Sequence, residues 1–163
     1  MNTDSLIIRE ILPQDILGVE ALIKNVMPEF GAFGPGFSIN DAEVLDMYSA
    51  YSKPKHVYFV ITDGSKIYGG SGIAPLAGEE NKVCELRKMY FLKELRGLGF
   101  GQKLMDLCLT KAKELGFKKC YLETLKNMDS AKKLYERNGF EEIKGPMGNT
   151  GHFGCDSFYL KDL

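Results

Sequence analysis

The stretch from Glu85 to Leu104 constrains the fold more than any other part of this 163-residue chain. It begins in β-favouring residues, passes through a turn holding Gly97, Gly99 and Gly101, and runs into an amphipathic helix. Phe100, Leu104, Leu107, Cys108 and Leu115 share one face of that helix, with Lys103, Asp106, Lys111, Lys113 and Glu114 outside it. Strand, glycine loop and helix in that order make an anion site. The first helical turn leaves backbone N–H groups unpaired and carries partial positive charge. Glycines let a phosphate approach those groups, because no Cβ intervenes. A Walker A run, G-x-x-x-x-G-K-[ST], does not occur. A dinucleotide fingerprint needs a glycine where Gln102 stands. The pattern that fits is R-x-x-G-x-G, from Arg96 to Gly101.

The rest of the chain sets the frame for that loop. Leu6–Ile11 reads as a first strand, and Pro13 suits the first turn of a helix carrying Ile16, Val19, Ile23 and Val26. Pro28 ends it. Residues 28–38 hold three glycines, two prolines and three phenylalanines, the composition of a loop that packs on something. It is either a loop pinned to the core or a lid over an acceptor site. Asn40, with Glu43 three residues on, is placed to cap a second helix. His56–Ile61 reads as a buried strand and Asp63-Gly64 as a hairpin turn. Lys66–Ala74 returns antiparallel, and its three glycines allow close approach of another backbone or a ligand. Val83–Phe91 is the next strand. Beyond the helix, which Gly116 ends, Lys119–Leu125 forms a strand that should lie parallel to it by a right-handed crossover. A short helix with Ala131, Leu134 and Tyr135 comes next, capped from 127–130, then two last strands at 140–143 and 153–160. A meander joined to a β-α-β crossover predicts an α+β fold with a mixed, mostly antiparallel sheet flanked by helices.

Composition narrows the function classes. The length suits a single domain over residues 1–163. A net charge of -1 gives no electrostatic case for nucleic acid or an anionic membrane. No apolar run approaches the roughly 20 residues of a membrane helix. Met1–Ser5 lacks the regions of a signal peptide. Cys84, Cys108, Cys120 and Cys155 are widely spaced, without a C-x-x-C clip, and read as buried reduced thiols of a cytoplasmic protein. His152 and Cys155 have loose metal-ligand spacing without evident partners, so no metal is expected.

Two motifs at a matching separation resemble the GCN5-related N-acetyltransferase (GNAT) family over nearly the whole chain. Arg96-x-x-Gly99-x-Gly101 is similar to its pyrophosphate loop, and Ala131–Phe140 looks like its A-x-x-L-Y-x-x-x-G-F segment. The resemblance implies a single GNAT-like domain with a splayed parallel strand pair at the coenzyme site. It implies acetyl-CoA as co-substrate, its pantetheine arm along Met89, Tyr90 and Phe91. The pyrophosphate would rest on Gly97, Leu98, Gly99, Phe100, Gly101 and Gln102, with Arg96 adding charge. Many members carry an asparagine three residues before the helix alanine. That position is Met128 here, with Asn127 one earlier and suited to a cap. Acetyl transfer to an amine needs a proton acceptor, an oxyanion donor and a proton for the thiolate. By the resemblance these are Glu85 or a water chain, the Met89 N–H and Tyr135. The expected function is acetyl transfer by direct attack to a primary amine of a small molecule or peptide, with a homodimer as the state the resemblance implies. The alternative is a non-catalytic acyl-CoA-binding sensor on the same fold.

Overall fold

The computed structural model describes residues 3–163. Met1 and Asn2, part of the stretch read for a targeting signal, lie outside the described residues. The elements are β1 (Ile7–Glu10), α1 (Ile16–Val26), α2 (Met47–Tyr51), β2 (Val57–Thr62), β3 (Ile67–Pro75), β4 (Val83–Phe91), α3 (Phe100–Glu114), β5 (Lys119–Thr124), α4 (Asp129–Arg137), β6 (Glu141–Ile143) and β7 (Ser157–Asp162). Seven strands form one sheet in the order β1-β2-β3-β4-β5-β7-β6 among the described residues. Neighbours are antiparallel except β4 and β5, which are parallel. This is the expected α+β architecture. The final hairpin folds back so that β7, not β6, lies against β5.

Both faces of the sheet are covered. Val57, Phe59 and Ile61 of β2 pack with α3 and α4, while Tyr58 and Val60 pack with α1 and α2. A strand buried on both faces reads as a continuous apolar run, which is why His56–Ile61 shows no alternation. The turn after β2 is held by Asp63, whose Oδ1 accepts from the Ser65 and Lys66 N–H groups at 2.9 Å each.

Three local expectations change. Asn40 caps nothing, and its side chain instead donates to the Gly34 carbonyl. Residues 38–45 form two 3-10 turns, and the helix begins only at Met47, where Asp46 accepts from the Ser49 N–H at 3.0 Å. Asn127 does not cap α4, since its side chain donates to the Phe30 carbonyl at 3.1 Å. The last strand starts at Ser157, and 147–156 is loop. Cys84, Cys108 and Cys120 are buried free thiols, whereas Cys155 is free and half-buried. No helix among the described residues is long and apolar enough to cross a membrane.

Two features of β4 open a gap in the sheet and shape its edge. The pairing of β4 with β5 runs only from Val83↔Lys119 to Glu85↔Tyr121. Beyond that point β4 stays with β3 as far as Phe91, and β5 stays with β7 as far as Thr124. The two parallel strands therefore part, and a gap opens between them. Within β4, Lys88 and Met89 stand opposite Ser71 alone, because the register jumps from Gly72↔Arg87 to Gly70↔Tyr90. This is a β-bulge, and Lys88 sits in the left-handed region at φ 51°.

Candidate active site

The bulge breaks the two-residue alternation of β4. Leu86, Met89 and Phe91 pack toward α3 and α4. Glu85, Arg87, Lys88 and Tyr90 face the other way, toward α1 and residues 38–46. Two consecutive cationic residues thus share one face, which a regular strand cannot arrange. A pocket fills the gap beside the bulge. Its floor is β4 and the end of β5, and Met89 and Tyr135 both line it. Phe30, Phe37, His152 and Cys155 line it as well. Residues 28–38 are therefore a pocket wall as well as a packed loop.

At the open end of β4 lies the glycine loop. Gly97 and Gly99 adopt φ 78° and 82°, and a Cβ on either would meet nothing within 4 Å. The glycines serve the left-handed backbone there, and the space above them is open. Gly101 differs. It lies inside α3, and a Cβ would come 3.2 Å from Leu134 on α4. Its role is close helix packing, not a special backbone angle. Gly99 precedes α3 and offers no side-chain cap, so the amides of Phe100, Gly101 and Gln102 are the orphan donors of the first turn. The Gln102 side chain is engaged elsewhere, donating to Asn138 at 2.7 Å and to Asp106 at 2.8 Å. Leu98 is exposed and Phe100 buried. Arg96 is no free turn residue: its guanidinium donates to Glu29 at 2.9 Å and to the Phe91 carbonyl at 3.0 Å, and lies over the Phe30 ring.

The other end of the pocket is charged. Glu85 is 3% exposed, not a surface carboxylate, and accepts from Arg87 Nε at 2.7 Å. Burial pushes its pKa up, against the pull of Arg87. Lys88 Nζ, buried, donates to Asp41 at 2.7 Å and to Glu43 at 2.5 Å. His152 stands between two carboxylates, with Nε2 3.0 Å from Asp41 and Nδ1 3.4 Å from Glu123. Burial acts to lower the His152 pKa, but Asp41 and Glu123 raise it to about 9, so the ring is cationic at neutral pH. Glu123 also accepts from Tyr121 at 2.8 Å and Thr150 at 2.9 Å. Glu85, Glu123 and His152 bring their ligand atoms within 4.8 Å of one another, so His152 has partners that its spacing from Cys155 did not suggest. With the imidazole protonated between carboxylates, the group as it stands is a chain of ion pairs.

Tyr135 is 5% exposed, and burial raises the pKa of its hydroxyl, which stays protonated. Its ring packs against Phe140 and Tyr159, with Thr124 close by. The Tyr90 ring is turned away from α4, and its hydroxyl lies 3.2 Å from Ser38 Oγ.

The structure thus brings Glu85, Met89 and Tyr135 to one pocket and sets the glycine loop at the same end of β4 as Met89, Tyr90 and Phe91. Sequence reasoning missed Lys88, Glu123 and the partners of His152. Their only signal was charge within otherwise apolar segments.

A family model described as the acetyltransferase (GNAT) family matches residues 21–140. The chain is 40% identical over 158 residues to the uncharacterized N-acetyltransferase YjgM of Escherichia coli (strain K12), spanning 96% of this chain and 95% of that protein. A GNAT-family acetyltransferase from Staphylococcus aureus Mu50 has a similar structure, with TM-score 0.83, 24% identity, and coverage of 97% of this chain and 99% of the other. The PaiA N-acetyltransferase of Thermoplasma acidophilum, solved in complex with coenzyme A, has TM-score 0.75 at 15% identity, over 97% of this chain and 99% of its own.

Proposed function

The chain belongs to the acetyltransferase (GNAT) family, and we propose that it transfers the acetyl group of acetyl-CoA directly to a primary amine of a small molecule or peptide. The observation that carries this reading is the parted β4–β5 pair. It opens a pocket lined by the buried carboxylate of Glu85, the buried Tyr135 and the bulge at Lys88 and Met89.

The residues present fit the coenzyme. The amides of Gly97, Leu98, Gly99, Phe100, Gly101 and Gln102 would hold the pyrophosphate, and the open space over Gly97 and Gly99 supports this. Met89, Tyr90 and Phe91 would hold the pantetheine amides along the freed edge of β4. Arg96 would steady the loop through Glu29 and contribute charge. When bound, the coenzyme supplies an activated acetyl group.

The protein's own groups then divide the work. Glu85 accepts the ammonium proton, directly or through water. Its raised pKa brings it nearer the working range of a general base. The Met89 N–H, at the bulge, donates to the oxyanion that develops on acyl transfer. Tyr135 gives its proton to the departing sulfur. This reading calls on no metal. It includes a cytoplasmic setting, supported by the free cysteines, and a homodimer as the family expectation.

An acceptor screen that follows free thiol release from acetyl-CoA tests the proposal. Release that depends on an added primary amine is expected. Coenzyme A binding without release from any amine would identify an acyl-CoA-binding sensor instead.

A further inference from the structure

We propose that the acceptor is a compact cationic amine taken up as a free small molecule, and that two loops clasped over the pocket exclude polypeptides. This rests on the acetyltransferase reading and narrows its acceptor.

The clasp is reciprocal. Residues 31–37 and 151–155 each present one glycine to the other loop's phenylalanine. A Cβ on Gly36 would come within 2.6 Å of the Phe153 ring, and one on Gly154 within 2.6 Å of the Phe37 ring. Each ring therefore lies on bare backbone of the opposite loop. The Gly154 N–H donates to the Gly36 carbonyl at 2.9 Å, which fixes the two backbones together. A charged link runs beside the rings, from His152 to Asp41 and on to Lys88. At the far end of the first loop, Arg96 holds Glu29 and Asn127 holds the Phe30 carbonyl. Phe37 and His152 also line the pocket, so the clasp forms its roof. A polypeptide acceptor needs a trough for its main chain beside the reacting nitrogen. Here the two loops touch each other over the pocket that Phe37, His152 and Cys155 line.

The charge around the pocket points to an ammonium. Asp41, Glu43, Glu85 and Glu123 contribute four carboxylates, and Arg87, Lys88 and His152 three cations. Of these, Glu85 and Glu123 line the pocket itself, so an ammonium that enters meets two carboxylates there. The remaining lining, with Met27, Phe30, Ala32, Phe37 and Leu125, suits a short apolar body.

The test is thiol release from acetyl-CoA with two acceptor panels, small primary amines and peptides carrying N-terminal and lysine amines. Small amines are expected to exceed peptides by about 100-fold in kcat/KM. Phe153→Ala and, separately, His152→Ala are expected to narrow that ratio by about 10-fold. Phe153 is 79% exposed, so its removal spares the core and keeps one variant folded. Peptides turned over as well as small amines would overturn the inference and leave the acetyltransferase reading standing. An unchanged ratio in both folded variants would overturn the clasp. Turnover of neither panel would remove the acetyltransferase reading, and this inference with it. By calorimetry with coenzyme A present, an amine should bind tighter than the alcohol of the same skeleton. Equal binding would overturn the charge argument.

Discussion

Tyr58 donates its hydroxyl hydrogen to the backbone carbonyl of Lys88, 2.9 Å away on the far side of β3. The ring crosses β3 where Gly70 and Gly72 stand, and a Cβ on either would come within 2.7 Å of it. Three strands thus cooperate: β2 supplies the ring, β3 the space, and β4 the bulge. The left-handed Lys88 costs energy, since a non-glycine residue rarely adopts φ 51°. The hydroxyl and the Asp41 and Glu43 carboxylates hold it there.

Tyr58→Phe should therefore act on catalysis through the bulge. It leaves the Lys88 carbonyl without that donor, at a cost of about 1–3 kcal/mol. If the Met89 N–H then shifts, turnover falls roughly 10–100-fold while coenzyme A affinity changes little. Steady-state kinetics and calorimetry on the folded variant check this. Unchanged turnover would reduce Tyr58 to a core residue.

Glu85→Gln is expected to lower turnover by about 10²–10⁴-fold with coenzyme binding intact. The pH profile carries the sharper signal. Burial raises the Glu85 pKa above its ordinary 4.5, so the base form is lost as pH falls through that raised value. The acidic limb of the rate should sit above the ordinary carboxylate range in the wild type and vanish in the variant. An unaltered limb would pass the role of base to water.

Much of this was legible in the sequence because it rests on local rules. The glycine loop, the crossover helix and the Leu134-Tyr135 step each come from spacing within one segment. The bulge was not, because Lys88 carries no mark of a left-handed residue. Regular alternation would put it on the Leu86 face. Asn40 resembled a cap by residue type, but Asp46 is the one whose helix survives tertiary packing. The burial of Glu85 was hidden for a similar reason. Its surroundings combine Arg87 of the same strand with Glu123 and His152 from two other segments. No window of sequence contains them together.

His152 should make stability depend on pH. Its pKa in the folded protein, about 9, exceeds its ordinary 6.5, so folding tightens its hold on the proton. The resulting stabilisation is complete below about pH 6.5 and is lost as pH rises through about 9. The groups facing the ring are Asp41 and Glu123, with Glu85 and Lys88 behind them. In His152→Gln the stability curve should be flatter across that window. Urea melts at several pH values compare the two proteins, and identical slopes would contradict the assignment.

Tyr135→Phe separates a chemical role from a packing one. The ring is held against Phe140 and Tyr159 with centroids 6.1 and 5.9 Å away, so the variant keeps these contacts. Only the oxygen is lost. That oxygen belongs to a buried residue at the pocket, beside Thr124 and across the strand gap from β4. Burial keeps the hydroxyl protonated, as a donor to the leaving sulfur must be. A thiolate with a pKa near 8.5 leaves readily, and a proton or hydrogen bond supplied as its charge develops speeds that departure further. Turnover should therefore drop by about 10²-fold or more, with coenzyme A affinity and thermal stability nearly unchanged. The loss should be smaller for an acyl donor whose leaving thiol is more acidic, because that thiolate needs the proton less. A structural tyrosine would give the opposite pattern: full turnover, a small loss of stability, and no dependence on the leaving group.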